Sequence, residues 1–527
     1  AVRGYLRKSI SNDRGKPSAS FNGFLLETWQ VAAEKLAGRE LERASLDVLW
    51  EMVVACLCGF TQLVKAGSEA AGSKVEDHLP AITAIVKTLE AKPLRVSTPL
   101  VQAWKSLVRN GLKHHFESAA LLQLIASLVR VIYRRPGRNG TEGGGEPDGV
   151  GDAAKNLLPL SVLYQIVLSH SLFLPTMLEG STADGSPVKE SLVKLMLTLV
   201  ELEPQCCKES HFPVLVGGYN ATMNATDSVI LSLMQKYQMN QAVPANYKLT
   251  AWGPAGVAQY QTQRALGKTL WQQPSMKEIL HQLDTDIMKE SALQFPLHRK
   301  LQTPYNPAAD GVWSKHYDPC FLLPLFSQLL APECVVDCLQ FVESNAFALT
   351  LAGLGSFDNT MRRASYHVLA SYMDHLEGVR FTGRREIYYL LQCLRNSITD
   401  PNLRLPSVLT TFVSRVARLA LTPVSFMYSI VMQYLLAKPR MQTDSVPMFA
   451  RLFYSTGIKH EEECAWVLSL LAEGLRESTD VALYESNSVF TTLLACQQSV
   501  LSSKHSKVAV RSLFQKAFEV EQKREGS

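Results

Sequence analysis

The sequence predicts an all-α fold, a HEAT/armadillo-like helical repeat solenoid, and three observations lead to this prediction. Apolar residues recur at three- and four-residue spacing along most of the chain, and no convincing alternating pattern of a strand is found. From residue 318 every second helix start falls at intervals of about 40, 47, 40 and 42 residues, close to the ~40–47-residue period of two-helix repeats. The chain has 527 residues, more than the ~250–300 at which single cores stop growing.

The N-terminal half divides into segments by composition. We predict a basic tail at 1–19, N-terminal helical repeats at 20–135, a flexible linker at 136–152, a helical region at 153–245 and an irregular or helical connector at 246–317. The linker is rich in glycine and has almost nothing to bury, so it cannot offset the entropy of ordering. Amphipathic patterns place helices over 21–36, 41–64, 79–89, 100–114, 117–133, 153–169, 188–202, 227–237 and 275–291.

The C-terminal half is the more regular part. We predict helical repeats at 318–503 and a tail at 504–527 that is either one more helix or a mobile end. Asp318 followed by Pro319 is a helix start, because an N-cap acceptor precedes a ring that pre-sets φ. The predicted helices begin near Pro319, Glu333, Thr360, Arg384, Ser407, Pro423, Pro447, Glu461 and Val489.

Composition narrows the class of protein. Apolar residues make up 46% of the chain and charged residues 19%, so a sizeable core can form. The two most apolar runs, 158–175 and 424–436, contain Gln165 and Gln433 and are better explained as buried helices than as membrane spans. Ten cysteines without a secretion signal fit a reducing compartment. The chain starts with Ala1, and we expect a fragment of a longer protein.

Positive charge is concentrated in one region. Residues 361–440 hold eleven Lys or Arg and four Asp or Glu, so their excess of positive charge is larger than the +5 of the whole chain. A polyanion partner needs such a local excess. A solvated helix face explains the same counts, and the counts alone do not separate these alternatives.

Catalytic and metal motifs are missing from the sequence. No Cys or His spacing matches a zinc site, no G-x-S-x-G elbow is present, and the glycines of the linker lack the Lys-Ser/Thr of a phosphate loop. Cys334 and Cys338 are predicted to share one helix face as core residues. We therefore predict no cofactor, no metal and no small-molecule substrate, although an enzyme with a cleft hidden from the sequence stays an alternative.

A resemblance to a known family adds to these inferences. The residues that carry it are Tyr317-Asp318-Pro319, Phe321-Leu322-Leu323-Pro324, the helix from Arg384 to Asn396, Trp252-Gly253, Leu270-Trp271 and Pro274. Over roughly 226–500 the chain resembles the C-terminal part of the nucleolar pre-ribosomal-associated protein 1 family. The resemblance implies a non-catalytic scaffold of the nucleus and nucleolus. It would act in early large ribosomal subunit (pre-60S) assembly and pre-rRNA processing, with pre-ribosomal RNA and other assembly factors as partners and no membrane.

The helix from Arg384 is the best candidate for an RNA contact. Its apolar side is Ile387, Leu390, Leu391, Leu394 and Ile398; Arg385, Tyr389, Gln392 and Asn396 fall opposite, and Tyr388 and Arg395 lie on the flank. Arginine binds phosphate, and tyrosine stacks on unpaired bases. The predicted RNA-binding residues are Arg362, Arg363, Arg380, Arg384, Arg385, Tyr389, Arg395, Arg415 and Arg418.

Two alternatives stay open for these residues. Tyrosines often pack with only the hydroxyl in water, and the arginines can pair with Asp374, Glu377 and Glu386. The function would then be that of a helical-repeat protein-protein adaptor without direct RNA contact, which would bind without the steep salt dependence of counterion release.

Overall fold

A computed structural model describes residues 98–133, 156–179, 186–243, 251–266, 274–301, 315–499 and 502–525, together with Leu79, Thr83 and Val86. The predicted tail 1–19, the helices predicted over 21–36 and 41–64, and the predicted linker 136–152 lie outside the described residues. The chain forms two compact units. The first holds the described helices up to Leu266, and the second holds those from Met276 onwards together with the short segment Ala221–Asn224.

The described helices of the first unit are α1 (Thr98–Ser106), α2 (Leu112–His114), α3 (Ala119–Ile132), α4 (Leu160–Leu168), α5 (Phe173–Leu178), α6 (Pro187–Leu202), α7 (Phe212–Gly217), α8 (Ala225–Met239) and α9 (Gly253–Leu266). A π-helical turn, Leu107–Gly111, joins α1 to α2. Helix α6 packs between α3 and α8, and α7 packs against α5 and α9. Ser118 caps α3 by accepting from Leu121 N, and Pro187 opens α6, as the sequence signals for helix starts predict.

The described helices of the second unit are α10 (Met276–Leu280), α11 (Thr285–Leu293), α12 (Pro319–Leu329), α13 (Cys338–Glu343), α14 (Ala346–Gly353), α15 (Asn359–Leu376), α16 (Arg384–Ser397), α17 (Ser407–Ala420), α18 (Phe426–Leu436), α19 (Phe449–Phe453), α20 (His460–Gly474), α21 (Ser478–Ser486), α22 (Val489–Gln498) and α23 (Lys504–Glu525). Helices α11, α14, α17, α20 and α23 stack side by side in one layer, while α12, α15, α16 and α18 follow one another in contact outside it. The all-α prediction is confirmed, since the described residues contain a single isolated β-bridge and no strand.

The repeats follow the predicted spacing but not the predicted number of helices. Helices begin at Pro319, Asn359, Ser407, Phe449 and Val489, close to the predicted repeat starts, whereas the steps from Pro319 and from Phe449 each take in three helices instead of two. The additional helices of these two steps are α14 and α21, and α14 begins immediately after Asn345, which adopts positive φ. Such breaks at non-glycine residues leave the apolar spacing nearly unchanged and are therefore hard to see in a sequence.

Several helix boundaries follow from caps that the sequence analysis did not use. The helix predicted over 275–291 is broken, because Asp284 caps α11 by accepting from Asp286 N and Ile287 N. The helix predicted near Glu333 begins at Cys338, after the cap Asp337. Cys334 consequently lies in a turn, and the prediction that it shares a helix face with Cys338 was wrong. The C-terminal segment forms the long helix α23, which packs on α20.

Asp318 and its neighbours join several parts of the second unit. The fully buried Asp318 carboxylate accepts from Cys320 N, which caps α12 as predicted, and it forms an ion pair with Arg299, Nη2 to Oδ2 2.9 Å. Its backbone N donates to Ala221 O, and Tyr317 N donates to Ser291 Oγ. One short stretch therefore fixes the start of α12, the end of α11 and the segment Ala221–Asn224.

Within the described residues, no helix is both long enough and apolar enough to cross a bilayer. In the same residues no group of three or more His, Cys, Asp or Glu side chains is placed to hold a metal ion.

Candidate nucleic-acid interface

Helix α16 is held in the second unit by the apolar stripe that the sequence predicts. Ile387, Leu390, Leu391 and Leu394 are buried. The helix starts after Gly383 at φ +89°, where a Cβ would lie 2.6 Å from the carbonyl oxygen of Ala420. Only glycine fits this conformation and this close approach. The start of α16 is thus fixed against the end of α17.

A second stripe of α16 is polar but already occupied. Tyr389 donates to the Lys438 carbonyl at 3.3 Å, and Asn396 donates to the Pro439 carbonyl at 3.0 Å. Burial raises the pKa of the Cys393 thiol, which stays protonated and donates to the same Lys438 carbonyl at 3.4 Å. This stripe therefore binds the loop after α18 and leaves little of Tyr389 for a partner.

At the N-terminal end of this occupied stripe, Glu386 is bound by a residue of α18. Tyr428 donates to Glu386 at 3.0 Å. Burial and this hydrogen bond raise the pKa of Tyr428. The carboxylate of Glu386 is consequently held by a tyrosine and, in the described residues, forms no ion pair with an arginine of α16.

A third stripe of α16 has two exposed and two half-buried side chains, and we call it the arginine stripe. It consists of Arg385, Tyr388, Gln392 and Arg395, which lie on one side because their spacing follows the helix period. The two arginines are exposed and stand about 15 Å apart along the axis at 1.5 Å per residue. Among the described residues, none of the four side chains has a hydrogen-bond partner. Tyr389 is the predicted stacking residue, whereas the ring beside the two arginines that has no hydrogen-bond partner among the described residues is Tyr388.

Three of the predicted RNA-binding arginines are used inside the fold. Arg362 is buried and donates to the carbonyls of Ser356 (2.7 Å) and Asn402 (3.0 Å). Arg384 donates to the carbonyls of Leu376 and Glu377, where it caps the end of α15.

Arg415 is the third predicted RNA-binding arginine that is used inside the fold. Its guanidinium forms an ion pair with Glu473 at 2.6 Å and donates to Trp466 O at 3.1 Å and Ser469 Oγ at 2.6 Å. All its N–H edges thereby face α20. The sequence could not show these partners, which are 51 to 58 residues away.

The remaining predicted arginines, Arg363 on α15, Arg380 before α16 and Arg418 on α17, are exposed. The structure adds two cations that the sequence analysis did not single out. Lys438 and Arg440 flank Pro439 in the loop that Tyr389 and Asn396 hold. Their closeness to α16 depends on the packing of α18, so no local signal could have indicated it.

Comparison with known proteins shows which family this chain is similar to. The sequence model of "Nucleolar pre-ribosomal-associated protein 1" matches residues 347–525. The chain is 37% identical to the protein of that name from Homo sapiens over 430 residues, which are 79% of this chain and 18% of that protein. It is 39% identical to the protein of that name from Mus musculus over 409 residues, 76% of this chain and 17% of that protein. The chain belongs to the nucleolar pre-ribosomal-associated protein 1 family.

The family assignment covers the candidate interface. Helix α16 and the exposed arginines of α15 and α17 lie inside the matched residues 347–525. The expected location, nucleus and nucleolus, agrees with the name that both relatives carry. The chain spans less than a fifth of the length of these two relatives, 18% and 17%. No solved structure matches this chain.

Two adjacent arginines of α16 should behave differently when truncated. Arg384→Ala should lower the free energy of unfolding by about 1–2 kcal/mol, because two carbonyls at the end of α15 lose a charged donor. Arg385→Ala should change it by less than about 0.5 kcal/mol, since that side chain is exposed. Urea unfolding followed by circular dichroism measures both. Equal stability of the two variants would show that Arg384 does not cap α15.

Proposed function

We propose that this chain is part of a non-catalytic nucleolar scaffold that binds pre-ribosomal RNA and other assembly factors during early large-subunit (pre-60S) assembly and pre-rRNA processing. The name of the family, which contains "pre-ribosomal-associated", supports a role in pre-ribosomal particles. The arginine stripe of α16 supports RNA as a partner, and it is the observation on which the proposal depends.

The chemistry of the arginine stripe suits a single RNA strand. Arginine presents a planar fork of donors that matches phosphate oxygens, and it is always charged. Between the two arginines lie an aromatic ring, Tyr388, and an amide, Gln392, which suit stacking and hydrogen bonding to an unpaired base. Glu386, the acidic residue of the same helix, accepts a hydrogen bond from Tyr428 and, in the described residues, forms no ion pair with either arginine of the stripe.

The proposed RNA-contacting residues are therefore Arg385, Tyr388, Gln392 and Arg395, with Arg363, Arg380, Arg418, Lys438 and Arg440 as further exposed or half-buried cations. Arg362, Arg384, Arg415 and Tyr389 support this surface from inside by holding helices and loops in place.

Binding rather than chemistry is also what the rest of the second unit favours. Stacked helical arrays offer extended surfaces for large partners. The buried tyrosines and cysteines of this unit, such as Tyr372 and Cys320, have their pKa values raised mainly by burial. Such groups stay protonated and behave as core residues.

An adaptor that contacts only proteins is a second candidate function. Val424 and Ile458 are fully exposed, and Lys459 lies over the Phe426 ring at 5.1 Å, so the starts of α18 and α20 are neighbours. Exposed apolar residues of this kind favour a protein partner at the neighbouring starts of α18 and α20. An adaptor that uses only this surface would bind with little dependence on salt.

The proposal is tested by reversing the charge of the arginine stripe. The double variant Arg385→Glu with Arg395→Glu should weaken binding of single-stranded RNA on the order of tenfold, and the slope of log affinity against log salt should fall by about two, one per lost phosphate contact. Filter binding at several salt concentrations gives both numbers.

The matched control carries Lys277→Glu and Lys504→Glu, which make the same change in net charge at exposed positions far from α16 in the sequence. It should keep most of the affinity. If the stripe variant is folded by circular dichroism and binds RNA like the control, the arginine stripe is not the RNA site and the adaptor becomes the better explanation.

A further inference from the structure

Helix α14 lies at the bottom of a pocket in the stacked layer of the second unit. All eight of its residues are buried, which is typical of a helix that is apolar on every side. Its outermost residues, Ala348 and Ala352, are small and form the floor between α11 and α17. The space above them has a volume of about 120 Å³, against the ~10–15 Å³ that one water molecule needs. We call this space the α14 pocket.

Cations line both walls of the α14 pocket. Lys289 stands on α11, and Arg415 and Arg418 stand on α17. Lys289 and Arg418 are exposed and form no ion pair with any described residue. Glu473 is the acidic residue at the pocket, and it is already paired with Arg415 at 2.6 Å. The pocket therefore has an excess of positive charge, which an anionic ligand would complement.

A hydroxyl without a partner also lines the pocket. Thr411 as a residue is only 4% exposed, and among the described residues its hydroxyl has no hydrogen-bond partner. The hydroxyl oxygen itself is not fully buried, so it can donate to or accept from a ligand in the pocket. By contrast, the neighbouring Ser414 hydroxyl donates to Thr410 O at 2.8 Å.

The engaged N–H groups of Arg415 favour a flat ligand. They are bound by α20, and the guanidinium lies over the Trp466 ring at 5.3 Å. Arg415 lines the pocket, and the guanidinium face opposite Trp466 is a surface on which a nucleic-acid base can stack. An acidic peptide would instead need free N–H edges for its carboxylates.

We propose that the α14 pocket takes one unpaired base of an RNA strand. The base stacks on Arg415 above Ala348 and Ala352, Thr411 bonds its edge, and Lys289 and Arg418 hold the flanking phosphates. The inference rests on the proposed function, because it assigns a base-binding site to the same RNA-binding unit. It predicts a preference for single-stranded over duplex RNA, since a paired base cannot leave its stack without cost.

The test uses the full chain and a single-stranded RNA oligonucleotide that contains one 2-aminopurine, a fluorescent adenine analogue. Binding should change its fluorescence, because the base enters a stacked environment. Ala348→Leu fills the pocket, and Thr411→Val removes the hydroxyl at constant shape; each should weaken single-strand binding about five- to tenfold and reduce the fluorescence change. Affinity for duplex RNA should stay within twofold of the parent.

Arg418→Met is a further variant for the case in which Ala348→Leu disturbs folding, since Arg418 is exposed. It should weaken single-strand binding several-fold and leave the circular dichroism spectrum unchanged. If the parent binds single strands and the arginine-stripe variant does not, while all three pocket variants bind like the parent, the pocket inference is wrong and the proposed function stands. If the parent binds no RNA, the proposed function itself fails. A glutamate-rich peptide that binds the parent but not Ala348→Leu, with RNA binding unaffected, would assign the pocket to a protein partner and overturn the inference.

Discussion

Asp318→Ala is expected to lower the free energy of unfolding of the second unit by about 3–5 kcal/mol, the typical cost of breaking a buried ion pair. The Asp318 side chain is fully buried, and Arg299, 6% exposed, donates to both of its oxygens. The same carboxylate accepts from Cys320 N and so caps α12. Alanine removes the charge partner and the cap together.

Two further variants separate these contributions. Asp318→Asn keeps a good N-cap acceptor but loses the charge, so it should cost less than alanine by about the ~1 kcal/mol of a cap. Adding Arg299→Met to Asp318→Asn should recover part of the loss, because an apolar side chain of similar length needs no carboxylate. Urea unfolding with circular dichroism gives the three values. If Asp318→Ala is as stable as the parent, the ion pair does not hold this junction together.

This junction shows what the sequence reveals and what it does not. The order Asp-Pro predicts the cap and the first turn of α12, because both depend on neighbouring residues. The partner Arg299 lies 19 positions earlier, and the backbone partner Ala221 lies far before that. Nothing in their local sequence marks them, since long-range pairing is decided by packing.

Helix α16 also has one part that the sequence predicts and one part that depends on tertiary packing. The periodicity predicts its buried stripe of Ile387, Leu390 and Leu394 correctly, because that stripe follows from the helix period. The polar remainder divides into an occupied and a free stripe only when α18 and its loop are in place. Tyr389 and Tyr388 are adjacent in sequence and equivalent in chemistry, yet the first donates to Lys438 O and the second is free among the described residues. The candidate site was therefore predictable as a helix, whereas the division of its polar residues into occupied and free ones was not.

Gly474→Ala is expected to destabilise the second unit, although the sequence alone predicts the opposite sign. Gly474 is the last residue of α20, where alanine has the better helix propensity by up to ~1 kcal/mol. In the structure a Cβ at this position would lie 2.6 Å from Val408 Cα, 2.8 Å from Val408 Cβ and 3.0 Å from Tyr484 Oη. Val408 is buried backbone of α17, and Tyr484 is fixed by a hydrogen bond to Leu471 O at 2.9 Å. None of these atoms is the far end of a flexible chain, so α17 and α20 must move apart.

The expected net loss for Gly474→Ala is about 2–3 kcal/mol, because overpacking of this kind costs ~1–3 kcal/mol or more and outweighs the gain in propensity. The matched control is Gly378→Ala, where a Cβ would meet nothing within 4 Å. Gly378 does not have positive φ, so alanine there should leave stability unchanged or raise it by up to ~1 kcal/mol through the unfolded state. Urea unfolding of both variants beside the parent measures the two signs. If Gly474→Ala is as stable as Gly378→Ala, α17 and α20 are farther apart than a distance of 2.6 Å between the added Cβ and Val408 Cα implies. Helix α17 also forms one wall of the α14 pocket. A different position of α17 against Gly474 would therefore change the geometry of the pocket on which the base-binding inference depends.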